Sequence, residues 1–379
     1  MPPMPQCQAI SGSAAEADLA ASSPFDVCRL RVLLPAQNGS FRRLCPGDDE
    51  FDCVASLASL ALDLLECKSS ILALKAITRD VAKVSLEVPG LRNLEEKDIE
   101  PIILEYLGAI RTSFPHVVVS NQHGMEGKNG RTHKKDCQDT FEPKSAAVIE
   151  LNATLVKWLA DALTNMRSKG SAKSTRRFRT LHLRLSITLA HELVHIFVLF
   201  LVRIGSEHTP PQVSFGPFGT RTVGESGRSW ESKLFGGYID MRHNTEGIEA
   251  IAFCDETKQN CWRIKTVVID DLLGRHFNRW LQPGVPLSDK EEYPKGQATE
   301  RLTGLQWKVK YDDVFPPLPP TAQGSQKPGQ EAQELSPAQI AELTAGKIMD
   351  MPQYNMSGHD LRAFALDPVH TRLRQVMKG

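Results

Sequence analysis

Two histidines four residues apart, His191 and His195, flank a glutamate, Glu192, in the run His191-Glu192-Leu193-Val194-His195. On a helix, positions i and i+4 share a face, so both imidazoles can reach one metal ion while the Glu192 carboxylate stands beside it to handle a proton. The chemistry this pattern, HExxH, would support is metal-assisted hydrolysis, in which the ion lowers the pKa of a bound water and polarises a carbonyl oxygen. A five-residue pattern needs support from its surroundings, and a further ligand must be found.

An ion held by two histidines takes a third protein ligand and, in a catalytic site, keeps a fourth position open for water. A histidine six residues past His195 would extend the motif, but Leu201 stands there. His208 is within reach in a proline-rich loop. The stronger candidates are Glu225 and Glu231 in Gly224-Glu225-Ser226-Gly227-Arg228-Ser229-Trp230-Glu231-Ser232-Lys233-Leu234-Phe235-Gly236-Gly237. By the three-and-four rule Gly227, Trp230, Glu231 and Leu234 share one apolar face. Glu231 is therefore expected to point inward as the third ligand, with Gly227 letting this second helix approach the first closely. Glu225 shares its face with Arg228, Ser229 and Ser232, which suggests solvent or a hydrogen bond to a histidine. The plainer alternative puts both glutamates on the surface, with Trp230 and Phe235 simply in the core.

With these residues the sequence resembles the gluzincins, the HExxH metallopeptidases whose third ligand is a glutamate on a second helix some tens of residues downstream. It is also similar to uncharacterised HExxH proteins of fungal genomes, in which E-x-G-x-x-x-E and then Phe-Gly-Gly follow the metal helix. The resemblance spans residues 145–270. It implies an α+β, zincin-like core made of a small mixed sheet, the HExxH helix and a second ligand-bearing helix, here with a helical N-terminal part. It implies Zn2+ on His191, His195 and Glu231, Glu192 as general base, and a peptide or protein substrate lying along an edge strand above the metal. A second electrophile usually stabilises the oxyanion in such chemistry; Tyr238 and His243 follow the second helix, but nothing in the sequence brings either to the metal.

Two other functions compete. A non-catalytic binding protein could keep the same fold, although binding alone would not need Glu192. Arg167, Lys169, Lys173, Arg176, Arg177 and Arg179 form a basic run without one acidic residue. Such a run could hold phosphates and direct a protease to nucleic-acid-bound proteins, or could be an ordinary solvated loop. Its single aromatic, Phe178, offers little platform for bases, so a nucleic-acid partner is not expected.

The elements that must position these groups can be read from periodicity. Leu181 to Ile204 is apolar, free of proline and internal glycine, and followed by Gly205 as a helix stop, so it reads as a buried helix. Burying His191, Glu192 and His195 there would be costly unless a metal or hydrogen bonds satisfied them. The alternation Leu181 to Ile187 also permits a strand feeding that helix. Upstream, residues 48–84 read as two helices or one broken near Ser69, and 95–111 as another helix. Pro115 to Ser120 reads as a strand, 121–144 as an exposed, mobile loop, Ala146 to Leu151 as a strand, and Asn152 as the cap of a helix from Ala153 to about Met166. Downstream, Thr209 to Thr222 is a loop that could wall a cleft, Glu225 to Phe235 a short helix, Ile248 to Phe253 and Trp262 to Ile269 strands around a turn, and Asp270 to Trp280 a helix.

Length and composition bound the rest. The chain has 379 residues, 41% of them hydrophobic, enough for a substantial core. Basic and acidic residues number 45 each, so net charge calls for neither a nucleic-acid nor a membrane partner. Eight cysteines occur without CxxC pairs, which argues for reduced thiols; Cys254 and Cys261 could face each other across a hairpin. Residues 1–24 lack the basic start and apolar run of a signal peptide and read as a disordered leader. The greasiest window, Ile187 to Val202, is too short and too polar for a bilayer span, so an intracellular, cytoplasmic protein is expected. The remaining organisation is a domain over 25–320, a linker at 321–336 and a helical tail over 337–379, opened by the cap and first-turn proline Ser336-Pro337.

Overall fold

The computed structural model describes residues 29–281 and 299–301, apart from 37–40, 86–87, 122–124, 126–127, 136–140, 203–208, 217, 244–248, 255–260 and 265. The expected leader at 1–24, the linker at 321–336, the tail from 337, the helix stop Gly205 and the candidate ligand His208 lie outside the described residues. The described residues form an α+β fold with a mixed sheet, an antiparallel sheet and a set of helices around one long central helix.

Five strands make the mixed sheet: β1 (Val32–Pro35), β2 (Phe41–Arg43), β3 (His116–Ser120), β4 (Gly130–Lys134) and β5 (Ala147–Asn152), in the order β2-β1-β3-β5-β4. β3 pairs in parallel with both β1 and β5, and its His-Val-Val-Val-Ser run is buried throughout, as a central parallel strand requires. β1 and β2 lie ahead of the first helix, so the N-terminal part contributes strands to the sheet and is not helical alone. β4 is antiparallel to β5 and forms the outer edge, with Thr132 opposite Ile149. Residues 130–134 are therefore a strand, where the sequence suggests a loop. An edge strand whose side chains meet polar neighbours shows no hydrophobic alternation, and that hid it.

Helices α1 (Asp49–Glu66) and α2 (Lys68–Val84) break at Cys67, whose backbone is extended. Asp49, Glu50 and Asp52 fill the first turn of α1, where negative charge complements the helix dipole. α3 (Glu96–Thr112) follows, and its Tyr106 hydroxyl donates to the Leu193 carbonyl beside Glu192. At the start of α4 (Ala153–Lys169), the Asn152 side chain accepts from the amides of Thr154 and Leu155, as its cap role predicts. Gly170 ends α4 at φ 57°, a left-handed conformation that suits glycine. Two residues later α5 (Ala172–Val202) begins.

α5 is the spine of the fold, packed against α1, α4, β4 and the later helices. It is helical from Ala172, so neither a strand at 181–187 nor a basic loop at 167–179 is present. With 31 residues it is long and apolar enough to cross a membrane, by length and composition, yet 94% of its most apolar window is buried inside the protein. Each leucine or isoleucine so buried contributes about 1.5–3 kcal/mol, which makes α5 the natural organiser of the core. α6 (Ser226–Phe235) packs on both α5 and α2, and the Trp230 indole donates to Ser70 of α2 at 2.8 Å. Beyond it β6 (Tyr238–His243), β7 (Glu249–Cys254), β8 (Cys261–Ile264) and β9 (Thr299–Arg301) form the antiparallel sheet, in which Cys254 and Cys261 are register partners. α7 (Thr266–Leu273) returns to α5.

Candidate metal centre

His191 and His195 occupy successive turns of α5, with ring centroids 5.1 Å apart. Their Nε2 atoms face the carboxylate of Glu225, whose Oε2 lies 3.5 Å from His191 and 3.1 Å from His195. One ligand atom from each of these three residues lies within 4.8 Å of the others, so the group could hold a metal ion. The donor set, two imidazoles and one carboxylate, suits a borderline ion such as zinc.

Glu225 reaches this position because it precedes α6 and is not part of it. It is the N-cap, with φ −132° and ψ 81°, and its side chain accepts from the Arg228 amide. The approach is set from behind by the loop after α5: the Gly224 amide donates to the Thr209 carbonyl, and the Glu225 amide to that of Val213. A Cβ on Gly224 would lie 2.0 Å from the Pro210 carbonyl oxygen, so only glycine permits this path. Gly227 solves the same problem at the metal helix. A Cβ there would come within 2.3–2.4 Å of the His191 ring.

Glu231 points inward, as its helix face predicts, and is 1% exposed. It meets the other edge of the imidazole: the Nδ1–H of His191 donates to Glu231 Oε1 at 2.7 Å. Its Oε2 accepts from Arg228 Nη1 and from the Ile239 amide, both at 2.8 Å. A buried carboxylate needs such partners, because an unpaired one would cost several kcal/mol. Arg228 is in turn held over the rings of Phe218 and Tyr238, at 4.9 and 5.2 Å from their centroids. Tyr238 thus belongs to this support. The expected roles of the two glutamates are exchanged: Glu225 joins the donor group, and Glu231 orients His191.

The electrostatics follow from this arrangement. Burial would raise the Glu225 carboxyl, but the charges of His195 and His191 outweigh it and hold the group well below the usual carboxylate range. Burial likewise opposes ionisation of Glu231, yet Arg228, His191 and Arg184 bring it down to about 2. The His191 imidazolium is disfavoured by burial and favoured by Glu225 and Glu231, with a net upward shift. Both carboxylates stay ionised, Glu225 facing the two Nε2 atoms and Glu231 held by its hydrogen bonds. His195 has its own support, with Nδ1 3.0 Å from the Ser226 hydroxyl and 3.5 Å from that of Thr209.

Glu192 lies next to the donor group on α5, under strand β4. The Thr132 hydroxyl donates to Glu192 Oε2 at 2.7 Å, and a Cβ on Gly130 would sit 3.2 Å from Glu192 Oε1. Lys134, two positions further along, extends the same face of the strand, with Nζ 3.5 Å from the Thr209 hydroxyl. On the opposite face, Arg131 and His133 pair with the fully buried Glu150 of β5, at 3.3 and 2.9 Å. Thr132, Lys134 and Gly130 were not legible as site residues.

The basic run lies elsewhere. It forms the end of α4 and the start of α5, where Lys173 to Arg179 lie about 18–27 Å from His191 along the helix at 1.5 Å per residue. Arg167 and Arg179 pair there with Asp49 at 3.9 Å and Asp270 at 3.0 Å. His243 lies on β6.

Compared with known proteins, the chain matches no family model, no curated protein and no solved structure.

Proposed function

We propose that the protein is a zinc-dependent metallopeptidase with a zincin-like core, hydrolysing peptide bonds with Glu192 as general base. The observation that carries this reading is that His191, His195 and Glu225 each bring a ligand atom within 4.8 Å of the others, with Nε2 of both histidines facing Glu225 Oε2 and Glu192 on the same helix. His191, His195 and Glu225 would hold the ion, which when bound supplies Lewis acidity toward a carbonyl oxygen and an acidified water. Glu192 would take a proton at the carboxylate oxygen that Thr132 does not occupy, and return it to the leaving amine. The Thr132 hydrogen bond fixes the direction in which that carboxylate faces and leaves Oε1 outside that bond. Among the described residues β4 is the edge strand of the sheet, and it lies over Glu192. A peptide can add there as a further strand, held by backbone hydrogen bonds.

The test is metal content combined with activity. The purified protein should carry about one zinc per chain, since one such donor group exists among the described residues. Its hydrolysis of an unfolded protein such as casein should fall by a factor of roughly 10²–10⁴ in Glu192→Gln, which keeps the metal and loses the base. A zinc-free protein from zinc-supplemented medium would refute the metal centre; full activity in Glu192→Gln would refute the base.

A further inference from the structure

Gly130 opens β4, and nothing in its backbone calls for glycine: its φ lies outside the left-handed region that Gly47, Gly170 and Gly236 occupy. A glycine in a strand weakens it, and often marks a place where another part of the chain comes close. Here that part is the metal helix. A Cβ on Gly130 would lie 2.9 Å from Thr188 Cγ2 and 3.2 Å from both Cγ and Oε1 of Glu192. Thr188 and Glu192 are one turn apart on α5, so Gly130 rests over the pair. Thr132, the next residue on that face of the strand, donates to the other carboxylate oxygen, Oε2, at 2.7 Å.

Two of the three parts that meet here are held in place. The start of β4 is tied to the cap of α4: the Asn152 amide donates to the Asn129 carbonyl and Asn152 Nδ2 to that of Lys128, each at 3.1 Å. Thr188 is β-branched, and its hydroxyl donates to the Arg184 carbonyl at 3.1 Å, which sets its rotamer. Glu192 has the longest and most adaptable side chain of the three, so a methyl at position 130 would be accommodated by displacing its carboxylate. The three atoms nearest to that methyl belong to Thr188 and Glu192, none to a candidate metal ligand. We propose that Gly130 is a positioning residue for the general base: by lacking a side chain it leaves Glu192 Oε1 in place to take a proton, while Thr132 holds Oε2. This assignment rests on the metallopeptidase reading.

The experiment compares full-length, zinc-loaded Gly130→Ala, Thr188→Ser and the double variant with the wild-type protein, by casein hydrolysis, zinc content and urea denaturation. Gly130→Ala should keep its zinc and its KM, while kcat falls about ten- to a hundredfold, the cost of misplacing a reacting group by up to 1 Å. Thr188→Ser removes the methyl that the new Cβ would meet at 2.9 Å and keeps the hydroxyl. Alone it should leave activity unchanged. Combined with Gly130→Ala it should restore stability and not kcat, because the contacts with Glu192 persist. A readout independent of turnover is the coupling between positions 130 and 192. The urea cost of Gly130→Ala should be smaller in a Glu192→Ala background, by about fivefold in the unfolding equilibrium, as for residues in direct contact. The proposal is overturned by an unchanged kcat in Gly130→Ala, a loss confined to KM, loss of zinc, or equal urea costs in the two backgrounds. Recovery of kcat together with stability in the double variant overturns it as well, as does failure of both Gly130→Ala proteins to fold, since the space would then serve packing alone. If the wild-type protein cuts casein and Gly130→Ala cuts it as fast, only the role of Gly130 falls; if the wild-type protein binds no zinc and leaves casein intact, the metallopeptidase reading falls first.

Discussion

Glu231 and Glu225 stand on opposite edges of the same imidazole: Glu231 Oε1 accepts from His191 Nδ1 at 2.7 Å, while Glu225 Oε2 lies 3.5 Å from His191 Nε2. An imidazole between two carboxylates can offer only one nitrogen to a metal. The hydrogen bond on Nδ1 selects the tautomer that leaves Nε2 free for it.

Glu225→Ala should therefore remove one of the three candidate ligands and, with it, most of the zinc affinity expected of the site. Glu231→Ala should cost less, about ten- to a hundredfold, the range usual for groups that orient a ligand. Competitive titration of both variants with a zinc chelator decides the order, and the reverse order would restore Glu231 as ligand.

Gly227→Ala should be as damaging as loss of a ligand, although it removes no polar group. Its new methyl would lie 2.3–2.4 Å from atoms of the His191 ring, so α6 must retreat or the ring must turn. The expected cost is about 1–3 kcal/mol in stability, as for other overpacked cores, together with weakened zinc binding. Chemical denaturation and metal titration of the variant would show both, and an unchanged protein would mean that the helices can separate freely.

Thr132→Val keeps the shape of the side chain and removes its donor to Glu192. Zinc content should be unchanged, because Thr132 touches none of the three candidate ligands. Turnover should fall about tenfold, the value of one hydrogen bond to a charged group, with the loss in kcat. A change confined to KM would point to substrate binding instead.

His116 provides a pH dependence remote from the metal. Burial, aided by the charges of Arg31, Lys144 and Arg43, pushes its pKa from 6.5 down to about 4. The unfolded chain binds this proton more readily, so the neutral histidine contributes fully above pH 6.5, and its contribution is lost as pH falls toward 4. The loss should reach roughly 3 kcal/mol over that window. His116→Phe should flatten the stability profile there, as followed by urea denaturation at several pH values; an unaltered slope would exclude His116 as its source.

Much of this molecule is written locally. The HExxH spacing places His191 and His195 on one helix face whatever surrounds them, because 3.6 residues complete a turn. Asn152 caps α4 and Gly236 ends α6 through contacts with residues only two to four positions away. The apolar periods of α1 and α2, the branched residues of β3 and β5, and the inward face of Glu231 are of the same kind. Each depends on near neighbours, so each could be read from the order of residues.

What only the tertiary structure decided depends on residues far apart in the chain. Glu225 reaches both histidines because Thr209 and Val213 hold the backbone ahead of α6, and a helix-face pattern does not describe a residue at the cap. Which nitrogen of His191 each glutamate meets is set by how closely α6 lies on α5, a distance governed by the missing side chain of Gly227. β4 is polar throughout and becomes a strand through its pairing with β5, where Glu150 Oε2 pairs with Arg131 and His133. Periodicity reports the burial of apolar side chains; it is silent where polar groups are buried against one another, and in this protein the candidate site is built from just such groups.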